Sequence, residues 1–196
     1  MKHLIMLLLV VGCHSVSIKN SARKASADVL KNESMLRYGQ QRLEKISESD
    51  SHRLQSVAYC YQGKIAKGLE HLKQKYQNQK SEASYWNQIG TCYFLDNKLG
   101  KARLFFQKAL QISKNHHSFA PAYNNLGLVY LKEKQYELSL SSFKQAISSN
   151  PGLLTPLFNL GHLYLKFGKA AEANRIFRKL YTKNREDIDV ISALGS

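Results

Sequence analysis

Three cysteines, one pair of adjacent histidines and a scatter of side-chain amides hold the reactive chemistry of this 196-residue chain. Cys13 stands directly after Gly12 at the end of a purely apolar run, Leu4 to Val11. The run follows the short basic head Met1-Lys2-His3. It is too short to span a bilayer, which takes about 20 residues, but it suits the apolar core of an export signal. Cys60 stands directly after Tyr59, and Cys92 directly before Tyr93, the tyrosine 34 residues further on. Their side chains therefore leave their helices in different directions. They are expected as small buried hydrophobes rather than as a disulfide. His116-His117 has no neighbouring Cys, Asp or Glu to complete a metal set. There is no Gly-rich phosphate loop, paired-histidine motif or nucleophile elbow. Enzymatic activity, a cofactor, a metal and a small-molecule substrate are therefore not expected.

The elements that must position these groups announce themselves by period. Tyr59 and Tyr93 are 34 residues apart, as are Tyr130 and Tyr164, and the middle gap is 37. A fixed beat of this size marks stacked copies of one supersecondary unit. Other residues keep the same beat. Trp86, Ile89, Gly90 and Tyr93 are followed by Ala102, Phe106 and Ala109. Tyr123, Leu126, Gly127 and Tyr130 are followed by Ser139, Phe143, Ala146 and Pro151. Leu157, Leu160, Gly161 and Tyr164 are followed by Ala173, Phe177 and Leu180. An earlier copy keeps Tyr59, Gly68 and Leu72 but departs from the pattern at His52, Gln55, Ser56 and Lys75.

These residues resemble the tetratricopeptide (TPR) repeat, a pair of antiparallel helices. The resemblance implies an all-α solenoid of helix hairpins. The physics of the pattern stands beside it. Small residues let two helix backbones approach, and large apolar ones at helical spacing fill the space between. One hairpin cannot bury its apolar face alone, so neighbours stack into one continuous core. Pro151 fits a stop between hairpins, since it cannot continue a helix. The division that follows is a signal peptide over 1–12, a tether over 13–27 and a leading helix over 28–48. A degenerate repeat covers 49–82, and further repeats cover 83–119, 120–153 and 154–187. A partial capping helix is expected over 188–196.

At the amino end, Val10-Val11-Gly12-Cys13 resembles a bacterial lipobox. The resemblance implies that the chain is cut before Cys13 and that this cysteine carries two or three fatty chains. Two or more chains hold firmly to a bilayer at about 0.8 kcal/mol per buried CH₂. His14 stands where aspartate would mark inner-membrane retention, so the outer membrane facing the periplasm is the expected location. Residues 14 to 27 are rich in Ser, Lys and Asn and read as a mobile tether. From Asp28 to Ile46 a stripe of Leu30, Leu36, Leu43 and Ile46 gives the leading helix its apolar face.

The charge balance is strongly basic, with 29 Lys and Arg against 14 Asp and Glu, net +15. Such a surplus speaks of partners rather than of fold. Nucleic acid is the usual partner of so basic a chain, but an exported protein sits where it is scarce. Anionic lipid headgroups, polysaccharide or an acidic protein segment fit better.

In TPR arrays the first helix of each hairpin lines the concave face. Carried over position by position, that groove takes Gln88, Asn125 and Asn159 two residues before the glycine site, and Thr91, Leu128 and His162 one after it. Asn124 and Phe158 stand three before it, and Leu131 four after. An amide both donates and accepts, so such a column can satisfy the backbone of an extended peptide without reading its sequence. The reading is a membrane-anchored adaptor that binds a protein or extended peptide through this groove. A pilot or assembly lipoprotein for a secretin or pilus machine is one alternative. A basic surface protein binding anionic lipid or polysaccharide is the other.

Overall fold

A computed structural model describes residues 52–75, 78, 82–113 and 119–195. Cys13, the tether, the leading helix and His116-His117 lie outside them. The described residues form helices only: α1 (His52–Tyr61), α2 (Ile65–Lys75), α3 (Ala83–Leu95), α4 (Leu99–Ser113), α5 (Ala120–Lys132), α6 (Tyr136–Ser149), α7 (Leu154–Lys166), α8 (Ala170–Lys183) and α9 (Ile188–Gly195). None of them is long and apolar enough to cross a membrane.

Each hairpin is made by the same turn, and the tyrosine beat explains why. Four residues beyond each tyrosine stands one residue with positive φ: Gly63, Asn97, Lys134 and Gly168. That left-handed residue reverses the chain, and the next amide closes back on the tyrosine carbonyl. Lys64 donates to Tyr59, Lys98 to Tyr93, Gln135 to Tyr130 and Lys169 to Tyr164, all at 2.8–2.9 Å. These bonds satisfy carbonyls left open at a helix end. At the last two junctions an asparagine does the work: the Asn150 side chain accepts from the Gly152 amide, and Asn184 accepts from the Glu186 amide.

Within a hairpin, the first helix approaches the second through glycine. A Cβ added at Gly90, Gly127 or Gly161 would come within 2.5–2.7 Å of the ring of Phe106, Phe143 or Phe177. All three rings are fully buried. In the first hairpin Ser56 takes the glycine site and Leu72 the ring site, a larger residue matched by a smaller one, and both are fully buried. The hairpins pack in sequence, α2 on α3, α4 on α5, α6 on α7 and α8 on α9. One core of Phe94, Phe106, Leu126, Leu128, Val129, Phe143, Leu160 and Leu163 runs through the middle of the stack. A second, around Phe158, Phe177, Leu180 and Val190, seats α9 on the last hairpin.

Candidate functional site

The first helices of successive hairpins, α1, α3, α5 and α7, stand side by side and form one wall of the stack. Each seam between neighbours carries a polar or covalent tie. At the α3–α5 seam, Asn125 Nδ2 donates to Asn87 Oδ1 at 3.1 Å. At the α5–α7 seam, Asn159 Nδ2 donates to Asn124 Oδ1 at 2.7 Å. Asn124 Nδ2 in turn donates to Asn125 Oδ1 at 3.3 Å, so four amides form one chain from Asn159 to Asn87. The chain stops at Phe158, which stands where the earlier hairpins have Asn87 and Asn124 and has no donor to give. Asn159 Oδ1 is left buried without a hydrogen-bond partner.

At the α1–α3 seam the tie is covalent. Cys60 and Cys92 form a disulfide across 32 residues, with Cα atoms 5.2 Å apart. This corrects the expectation of two separate buried thiols. Side chains that leave their own helices on opposite sides are the pair that meets when two such helices stand next to each other. Gly68 makes room for the bond: a Cβ there would strike Cys60 Sγ and lie 2.7 Å from the Ser56 carbonyl oxygen. The later hairpins have Ala102, Ser139 and Ala173 at this site.

The expected groove residues are therefore together on one wall, but most face into it. Gln88, Thr91, Asn124, Asn125, Leu128, Phe158 and Asn159 are all buried. Thr91 spends its hydroxyl on the Asn87 carbonyl of its own helix, at 3.0 Å. The asparagines are an internal seam rather than a solvent-facing column, because neighbouring helices come close enough for the amides to satisfy one another. Leu131 is half-buried and His162 exposed. The His162 ring packs against Phe158 and Phe177, with centroids 4.5 and 5.2 Å away. The residue as a whole is exposed, but the side of the ring against Phe158 and Phe177 is desolvated. This pushes its pKa below the ordinary value, against a smaller upward pull from Asp189. Half-buried Leu95 and Leu165 stand on the same helices as these groups. Trp86 stacks on Phe105 at 5.8 Å and carries Lys108 Nζ 3.7 Å above its ring. It is a packing residue of its hairpin.

The fold and these seams define an all-α tetratricopeptide solenoid. Residues 81–150 match the family described as Tetratricopeptide repeat. Among solved structures, a thermophilic TPR protein of Thermus thermophilus superposes with TM-score 0.64 at 18% identity, over 91% of this chain and 95% of that one. A MamA structure from Desulfovibrio magneticus RS-1 gives 0.55 at 24% identity, over 74% and 80%. At these identities the likeness is one of fold. Among curated proteins, the response regulator aspartate phosphatase E of Bacillus subtilis is 31% identical over 58% of this chain and 32% of its own length. The photosystem I assembly protein Ycf3 of Prochlorococcus marinus is 23% identical over 57% and 64%. The chain spans less than two thirds of the length of either, and only 12% of the human cilia- and flagella-associated protein 70 that it also resembles.

Proposed function

We propose that this protein is an adaptor, held to the bacterial envelope by a lipid on Cys13, that binds a protein partner along the wall formed by α1, α3, α5 and α7. The observation that carries the reading is that every seam of that wall is tied, by the Cys60–Cys92 disulfide and by the amide pairs. A wall held in one shape costs less to order on binding, which favours a docking role. Buried disulfides persist in oxidising compartments such as the periplasm, which supports export independently of the amino-terminal signal. Solved relatives of this fold include the APC/C hetero-tetramer Cut9–Hcn1, an assembly of protein chains.

The groove reading keeps Gln88, Thr91, Asn124, Asn125, Leu128, Leu131, Phe158, Asn159 and His162 as its residues. Leu131 and His162 are the first contacts, and the buried amides hold the wall behind them. A photocrosslinking side chain placed at Leu131 or Leu165 should capture a partner from the envelope, while one at the exposed Leu104 should not. Adducts from Leu104 alone would move the partner to the outer face. Fatty-acid labelling of the wild type, and none of Cys13→Ser, is the separate test of the anchor.

A further inference from the structure

The second helices of the hairpins form the opposite side of the stack, and their exposed positions can be compared in register. On α8, Arg175, Arg178, Lys179 and Lys183 are all exposed. Their spacing puts them on one stripe, opposite the buried Ala173, Phe177 and Leu180. The same four positions on α6 hold Ser141, Lys144, Gln145 and Ser149. On α4 they hold Leu104, Gln107, Lys108 and Ile112. The earlier helices thus carry one cation where α8 carries four.

Nor is the charge absorbed within the protein. The ion pairs among the described residues are Lys98–Asp96 and Arg103–Glu133, and neither involves α8. Lys169 and Arg185, both exposed, add a cation at each end of the helix, against Glu172 in its first turn and exposed Glu186 just beyond it. Tyr181, also exposed, lies beside Arg178 on the helix surface. From Arg175 to Lys183 the cations cover about 12 Å of helix length, at 1.5 Å per residue.

We infer that the outer face of α8 rests on an anionic phospholipid surface and so fixes how the scaffold lies on the membrane. A band of cations on one exposed helix face suits an array of phosphates. Arginine suits phosphate oxygens through its planar fork, and a tyrosine at the stripe's edge suits the headgroup level. Nucleic acid shares the phosphate chemistry, but the proposed lipid on Cys13 would hold the chain at a membrane. This inference takes its membrane setting from the proposed anchor, so the test is made on unacylated protein and the two can fail separately.

Full-length Cys13→Ser protein would be floated with vesicles of phosphatidylcholine, with and without phosphatidylglycerol. The variant Arg175→Gln/Arg178→Gln/Lys179→Gln/Lys183→Gln is compared with Lys64→Gln/Lys73→Gln/Lys75→Gln/Lys144→Gln, which removes equal charge elsewhere. Each cation near an anionic leaflet is worth about fivefold in partitioning. The α8 variant should therefore lose the phosphatidylglycerol-dependent part of binding by roughly several-hundredfold. The other variant should lose far less, with unfolding temperatures alike. Equal losses from the two would show that net charge alone acts and overturn the inference. So would unchanged vesicle binding by the α8 variant, or a loss confined to binding of a single-stranded DNA oligonucleotide.

Discussion

Gly127 shows how much one absent side chain decides. A Cβ there would stand 2.5 Å from the Phe143 ring, which is fully buried and has nowhere to retreat. Gly127→Leu should cost at least the roughly 1–3 kcal/mol typical of overpacking. Lys144→Ala, at an exposed site, should stay within about 0.5 kcal/mol. Chemical denaturation of both variants checks the contrast, and equal shifts would mean that the contact is not close. His162 is the other informative single residue. Its folded pKa lies below the ordinary 6.5, chiefly because the charged ring would be desolvated. The unfolded chain therefore binds the proton more readily. Stability from the neutral ring is complete above the ordinary value and declines as pH falls from there through the lowered one. An NMR titration should place the His162 midpoint below 6.5. A midpoint above it would mean that Asp189 outweighs burial.

At the scale of the element, the hairpin turn and the amide seam carry separate predictions. Lys134 holds the left-handed turn position at φ 61°, where the first and last hairpins have glycine. A side chain there costs about 1–2 kcal/mol, and glycine returns roughly 0.5–1 of that through unfolded-state entropy. Lys134→Gly should therefore raise stability by about 0.5–1 kcal/mol, read as a shift of the denaturation midpoint. A loss would mean that the Lys134 side chain contributes to packing. Asn125 sits in the middle of the amide chain, giving one hydrogen bond and receiving another. Asn125→Ala removes one hydrogen bond to Asn87 Oδ1 and one from Asn124 Nδ2 in a buried seam, at about 1–3 kcal/mol for each group that stays unsatisfied. Its effect should appear in stability before it appears in partner binding. Weakened binding with an unchanged denaturation midpoint would instead put Asn125 in the groove as a direct contact.

For the whole molecule, the disulfide determines how firmly the first hairpin belongs to the stack. Closing a span of 32 residues removes unfolded-state entropy worth about 3–4 kcal/mol in the chain-entropy account. Cys60→Ala/Cys92→Ala should lose stability of that order. Amide exchange should rise first in α1 and α2, while α5 to α8 keep their protection. Uniform loss of protection along the chain would mean that the repeats unfold as one unit and that the bond stabilises all of them alike.

The sequence by itself determined the hairpin, its register and its turns. The small residue at Gly90, Gly127 and Gly161, the ring sixteen positions on and the tyrosine that closes the turn all lie within one repeat. Their meaning rests on local helical geometry, which spacing expresses directly. Only the tertiary structure decided what happens between repeats. That Cys60 finds Cys92, and that Asn124, Asn125 and Asn159 turn to one another instead of to solvent, depends on the distance and rotation between neighbouring first helices. Those are set by the sum of all the packing contacts along a seam. The same holds for the four cations of α8, ordinary as a list of residues and distinct only once the outer faces are laid in register. A period in the sequence specifies the unit that repeats, but the fit of one unit against the next is a property of surfaces that no single unit contains.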